Sequence, residues 1–96
     1  QHEALLDEQA AALRAGREQM QADLRAIAGV TAFPSAANFI LFRVARAAMV
    51  FERLKARGVL IKNLDGSHPV LADCLRVTIG TPDENAQFIA ALRAAV

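Results

Sequence analysis

The sequence has 96 residues, with 11 Lys and Arg against 10 Asp and Glu. A chain this short holds one domain and hides only roughly 60 % of its unfolded surface on folding, and a net charge of +1 creates no field that would draw nucleic acid or an acidic membrane. The single cysteine, Cys74, excludes a disulfide framework, no apolar run reaches the ~20 residues of a membrane span, and the polar, acidic start QHEALLDEQ is unlike a signal peptide. A cytoplasmic setting is expected.

In chain order, the first pattern runs from Glu3 to Ala28, rich in Ala, Leu, Gln, Arg and Glu, with Leu6, Leu13, Met20 and Ile27 at seven-residue intervals and Leu24 beside them. This predicts one long amphipathic helix, weakened at Gly16 and ended by Gly29. So thin a stripe lies along a neighbouring body and makes no core alone. No cap precedes Glu3 and no Met opens the chain, as expected of a piece of something longer.

Val30–Phe33 (VTAF) and Asn38–Val44 (NFILFRV) are rich in β-branched and aromatic residues around Pro34 and Ser35, and predict two strands. Ala47–Arg57 puts Ala47, Val50, Phe51 and Leu54 on one helical face, then closes with basic residues and Gly58. Val59–Leu64 (VLIKNL) predicts a third strand, DGSHP a loop, and Cys74–Gly80 (CLRVTIG) a fourth strand. In TPDEN, Thr81 is a cap, Pro82 the first helical residue and Glu84 three beyond the cap, a capping box. Asn85, Phe88, Ile89, Leu92 and Val96 continue that helix. The order α-β-β-α-β-β-α predicts an α+β fold, a small four-stranded sheet with helices packed on one face, preceded by a long linking helix.

Period-two alternation places Leu75, Val77 and Ile79 toward the helices and Cys74, Arg76 and Thr78 on the open face of the sheet. Arg76 is then either a solvated side chain or a rigid fork for a carboxylate or phosphate. Lys62, on a face with Leu60 and Leu64, is a second cation or surface decoration. Asn38 opens a strand after a Pro-Ser turn, where Asn commonly bonds nearby backbone. His2 and His68 have no second ligand at metal-binding spacing. Cys74 has no activating base beside it and reads as a buried thiol. There are no paired carboxylates, no glycine-rich phosphate loop and no Ser-His-Asp set, so this sequence does not itself contain catalytic residues.

Taken together, PSAANFILFRV, RLKARGVLIKNL and LADCLRVTIGTPDENAQFIAAL resemble, in order and spacing, the C-terminal small domain of class I/II, fold-type I aminotransferases, most closely the histidinol-phosphate aminotransferase branch. The resemblance runs from Leu24 to Leu92. It implies a linking helix over residues 1–28 and a small domain over 29–96, joined to a large domain of the same chain in a homodimer. It also implies a transaminase of histidine biosynthesis that uses pyridoxal 5'-phosphate, an amino donor and a 2-oxoacid. Arg76 occupies the position of the Arg that grips the substrate α-carboxylate. Lys62 stands where this branch carries an Arg for the substrate phosphate or the distal carboxylate of glutamate, and it replaces the planar fork by a point cation. Asn38 falls at the cleft. The cofactor-binding residues belong to the large domain, outside these 96 residues. Rival readings are an aromatic or other class I/II aminotransferase, a threonine-phosphate decarboxylase-like enzyme, and a non-enzymatic α+β binding module.

Overall fold

The computed structural model describes residues 2–35 and 37–96, with side chains described from residue 10 onward except at 36. The side chains of His2 and Leu6 therefore lie outside the described residues. Helix α1 spans His2–Arg25 and strand β1 Val30–Ala32, followed by β2 (Phe39–Val44) and α2 (Ala47–Ala56). A two-residue β3 (Lys62–Asn63), a 3₁₀ turn (Pro69–Leu71), β4 (Cys74–Thr78) and α3 (Pro82–Ala95) complete the chain. The expected order of elements is present, and the four strands form one antiparallel sheet in the order β1-β2-β4-β3.

One face of this sheet carries the core. Ile40, Phe42 and Val44 of β2, together with Leu75 and Val77 of β4 and Ile79 just beyond it, are buried against Met20 and Leu24 of α1, Val50 and Leu54 of α2, and Phe88 and Leu92 of α3. Phe42 and Phe88 meet edge to face, ring centroids 5.9 Å apart, a geometry that aligns the positive edge of one ring with the negative face of the other. Of the seam residues whose side chains are described, Met20, Leu24 and Ile27 are buried while Leu13 is 37 % exposed.

Three boundaries differ from the expected ones by two residues or more, each for a local reason. Helix α1 stops at Arg25, three residues early. There the chain tightens into turns in which the Ile27 amide donates to the Leu24 carbonyl (3.1 Å) and the Val30 amide to Ile27 (3.2 Å). Gly29, at φ +85°, then turns the chain into β1, a conformation that costs a residue with a Cβ more than it costs glycine.

The GVLI segment is strand only at Lys62 and Asn63. Its opening residues belong to the end of α2: the Gly58 amide donates to Lys55 and the Val59 amide to Leu54, both at 2.9 Å, closing the helix with a left-handed Gly58. Val59 and Ile61 pack against the core whereas Leu60 is 75 % exposed, so the alternation is right but the ladder partners are missing. Strand β4 ends at Thr78, although the Ile79 amide adds one more bond to the Asn38 carbonyl (2.8 Å). The Gly80 amide is diverted to Asn85 Oδ1 (2.9 Å) while the Asn85 amide group donates back to the Gly80 carbonyl (3.2 Å). That two-point bond fixes the strand-to-helix corner. Gly16, which weakens α1, has a packing reason: a Cβ there would stand 3.2 Å from Ile79 Cγ2.

Start of α3 is the expected capping box: the Thr81 hydroxyl accepts from the Glu84 amide (3.2 Å), and the Glu84 carboxylate accepts from the Thr81 amide (2.9 Å). The Thr81 amide first, and its hydroxyl second, hold the Glu84 carboxyl below its usual 4.5. A depressed folded-state value means that this contribution is complete above the unfolded-state value and is lost as the pH falls through the lowered one. The stability advantage of wild type over Glu84→Gln is accordingly expected to be full at neutral pH and to fade in acid. Urea unfolding across the acidic range tests it, and an advantage that grows on acidification would overturn the assignment. Helix α2 has no cap of its own, since Arg46 makes no side-chain capping bond and lies at φ 58°. The carboxylate of Asp73, from the far loop, stands 3.4 Å from the Ala47 amide instead, placing negative charge at the helix start.

Candidate functional site

The sheet face away from the helices holds the charged residues. Antiparallel pairing sets Lys62 directly opposite Arg76 and Arg76 opposite Leu41, and directly opposed residues project to the same face. The structure thus brings Lys62 and Arg76 together as neighbouring cations on adjacent strands. Like charges so placed repel, an arrangement that costs stability by itself and that an anion bound between them would relieve. Lys62 is exposed and Arg76 half-buried.

Arg76 Nε is buried with no hydrogen-bond partner among the described residues. Its guanidinium carbon lies 4.9 Å from the centroid of the Phe39 ring, on the same open face. Arg43 is a useful contrast. Its Nε donates to the Ala72 carbonyl (3.0 Å) and its Nη2 to Val70 (2.7 Å), with Phe33 under it at 5.4 Å. That arginine is committed to holding the loop before β4, whereas Arg76 retains donors for a ligand. A bare arginine fork with a cation next to it can take a carboxylate in two-pronged fashion and a second anionic group at the neighbour.

Asn38 stands one residue before β2 and is exposed. Its carbonyl accepts the Ile79 amide, and the side-chain work expected of it is done by Ser35, whose hydroxyl donates to the Phe39 carbonyl (2.6 Å) and accepts from the Ala37 amide (3.1 Å). Asn38 shares the parity of the buried Ile40, opposite to Phe39 and Leu41, and among the described residues no hydrogen bond joins it to Arg76 or Lys62. His68 also proves structural: its Nδ1 accepts from the Val70 amide (3.1 Å) and starts the 3₁₀ turn. Cys74 is a free, buried thiol whose Sγ lies 3.6 Å from the Ala72 carbonyl. No group of acidic, His and Cys side chains suited to a metal occurs among the described residues, and no helix of the described residues is long and apolar enough to cross a membrane. A concavity between α1 and the β4–α3 corner is mostly apolar, lined by Leu13, Met20, Ile79 and Pro82 with Asp23 and Glu84 also on its lining, and among the described residues it holds no cationic side chain.

Phe39 is the site residue that sequence reading passed over. As the opening hydrophobe of a strand it looks like core, and only the register, which pairs it with Thr78 and so places it diagonal to Arg76, reveals its neighbour.

No protein-family model matches the chain. Histidinol-phosphate aminotransferase 2 of Cupriavidus pinatubonensis is 58 % identical over 96 residues, which is 100 % of this chain and 26 % of that protein. The chain thus spans about a quarter of the length of the curated relatives it matches. Among solved structures, the histidinol-phosphate aminotransferase from Clostridium acetobutylicum shares the fold with a TM-score of 0.83 at 20 % identity, covering 92 % of this chain and 27 % of that one. The L-threonine-O-3-phosphate decarboxylase from Porphyromonas gingivalis aligns with a TM-score of 0.75 at 25 % identity, over 84 % of this chain and 26 % of its own. In sequence and in fold, this chain is a homologue of a quarter-length segment of histidinol-phosphate aminotransferases, the branch that its motifs resemble.

Proposed function

We propose that this chain is the C-terminal small domain of a pyridoxal-phosphate-dependent transferase, histidinol-phosphate:2-oxoglutarate aminotransferase of histidine biosynthesis, acting as a cytoplasmic homodimer. Residues 1–28 form the arm that links it to the large domain and residues 29–96 the small domain itself. The observation that carries the reading is the pair of cations opposed across the open face, one of them an arginine with an unpartnered Nε. Arg76 grips the α-carboxylate of glutamate and 2-oxoglutarate, a place that histidinol phosphate, which has no carboxylate, fills with its phosphate, and Lys62 balances that phosphate or the distal carboxylate of glutamate. Anchoring the anion next to the reacting carbon fixes which face of that carbon meets the chemistry, and that positioning is the contribution of this domain.

Pyridoxal phosphate, when bound, supplies the electron sink for amino-group exchange. The residues present fit a substrate clamp and not a cofactor cradle: the two lysines, Lys55 in the last turn of α2 and Lys62 on the edge strand, are both exposed. The cofactor is therefore held by the large domain. Accordingly, the 96-residue chain alone is expected neither to bind pyridoxal phosphate nor to transaminate, and a stoichiometric cofactor absorbance band on mixing the two would contradict this.

A second reading, supported by the structural likeness to a threonine-phosphate decarboxylase, keeps the clamp and changes the outcome to loss of the carboxylate. Assay of the full-length, cofactor-loaded protein separates the two. Amino transfer from histidinol phosphate to 2-oxoglutarate is the expected result, and release of carbon dioxide from threonine phosphate with no such transfer would sink the transaminase reading.

A further inference from the structure

We infer that Phe39 is a positioning residue for the carboxylate clamp, its ring holding the Arg76 guanidinium in the orientation that grips a carboxylate. The inference rests on the clamp reading above and goes beyond it by naming what orients the cation. The distance of 4.9 Å from the guanidinium carbon to the ring centroid lies within the range over which the negative face of an aromatic ring attracts a cation. The planar guanidinium also stacks on such a face, which limits its rotation in a way a round aliphatic side chain would not.

The rest of the argument concerns what else could orient Arg76. Its Nε is buried and has no hydrogen-bond partner among the described residues, so on that edge no protein acceptor sets the plane of the fork. One register step away, Arg43 is oriented by two backbone carbonyls in addition to a ring. Arg43 thus shows how this sheet fixes an arginine that serves structure. Arg76 keeps the ring and dispenses with the carbonyls, which leaves its orientation to Phe39 and its donors to a ligand. Phe39 itself is 39 % exposed, outside the hydrophobic cluster that holds Ile40 and Phe42. An aromatic at that place contributes little to the core, and its reach to the diagonal neighbour on β4 is what the register gives it.

The test uses the full-length, cofactor-loaded enzyme with Phe39→Leu, Phe39→Trp, Arg76→Ala and the Phe39→Leu/Arg76→Ala double variant. Readouts are kcat and KM for amino donor and oxoacid, binding of succinate as a non-reacting dicarboxylate by calorimetry, and thermal unfolding. Phe39→Leu is expected to raise both KM values and to weaken succinate roughly three- to tenfold, with a smaller change in kcat and an unchanged melting temperature. Phe39→Trp, which keeps a π face, should stay within about twofold of wild type. The double variant should be no worse than Arg76→Ala, because a ring that acts through Arg76 has nothing left to orient.

Two results overturn the inference and leave the clamp standing: Phe39→Leu binding succinate like wild type while Arg76→Ala loses ~100-fold, or losses that multiply in the double variant. Equal losses for Leu and Trp with a lowered melting temperature would make Phe39 a structural residue and overturn it too. Arg76→Ala matching wild type would instead remove the clamp reading and this inference with it.

Discussion

On the proposed clamp, Arg76→Ala in the full-length protein is expected to lower kcat/KM by ~100-fold or more for both half reactions, since two charge-assisted hydrogen bonds of roughly 1.5–3 kcal/mol each would be lost and about 3 kcal/mol or more of binding would carry into the transition state. The oxoacid brings its α-carboxylate to the fork and histidinol phosphate, which has no carboxylate, brings its phosphate to the same place, so neither half reaction escapes. Arg76→Lys recovers only part, because one ammonium cannot reproduce the fork. Stability should change little: the buried Nε donates to nothing among the described residues, and the contact with Phe39 accounts for about 0.5–1 kcal/mol at a partly exposed site. Lys62→Ala, at an exposed edge position, should affect a phosphate-bearing or dicarboxylic substrate far more than an amino acid that lacks the second anion. Steady-state kinetics on both variants with both substrate types checks this. Near-normal kcat/KM in Arg76→Ala together with a lowered melting temperature would make Arg76 a structural residue and end the clamp reading.

Phe42→Ala is the substitution that should damage the fold most. Phe42 is fully buried on the middle of β2, pairs with Leu75 on one side and Ala32 on the other, and meets Phe88 of α3 edge to face. Truncation removes its transfer free energy, leaves a cavity among side chains that belong to three different elements, and breaks an aromatic pair. The expected loss is about 3–5 kcal/mol. A domain of this size is stable by only about 5–15 kcal/mol, so the variant should lose most of its cooperative urea transition. Phe39→Leu, three residues earlier on the same strand, on its opposite face and outside the core, serves as the control. A midpoint for Phe42→Ala within about 1 kcal/mol of wild type would mean that the sheet and α3 are not packed as described.

Much of this architecture is legible in the sequence, because its signals are local. The capping box at Thr81 and Glu84, the glycine that closes α2 and the alternation that turns Val77 inward and Arg76 outward each depend on residues within a few positions of one another. The parts that were not legible depend on partners distant in the chain. Val59–Ile61 has strand-like residues but no ladder, because β4 pairs on that side only with Lys62 and Asn63. Helix α2 starts without a capping residue because a carboxylate 26 positions away stands at its first amide. In the site, Arg76 and Lys62 could be picked out as cations on an open face, yet their direct opposition is a matter of register between β3 and β4. Phe39 was invisible for the same reason, since its role comes from a diagonal neighbour 37 positions on in sequence.

The edge strand that carries Lys62 has evolutionary consequences. Arg76 sits on β4, flanked by strands on both sides, whereas β3 consists of two residues paired on one side only. On the proposed clamp, a lineage can therefore exchange or shift the residue at position 62, trading one distal anion for another, while the central strand and the grip proposed for Arg76 stay as they are. On this layout, substrate choice and substrate anchoring are separately heritable. A fold of this kind can diversify at its rim without re-solving the problem at its centre.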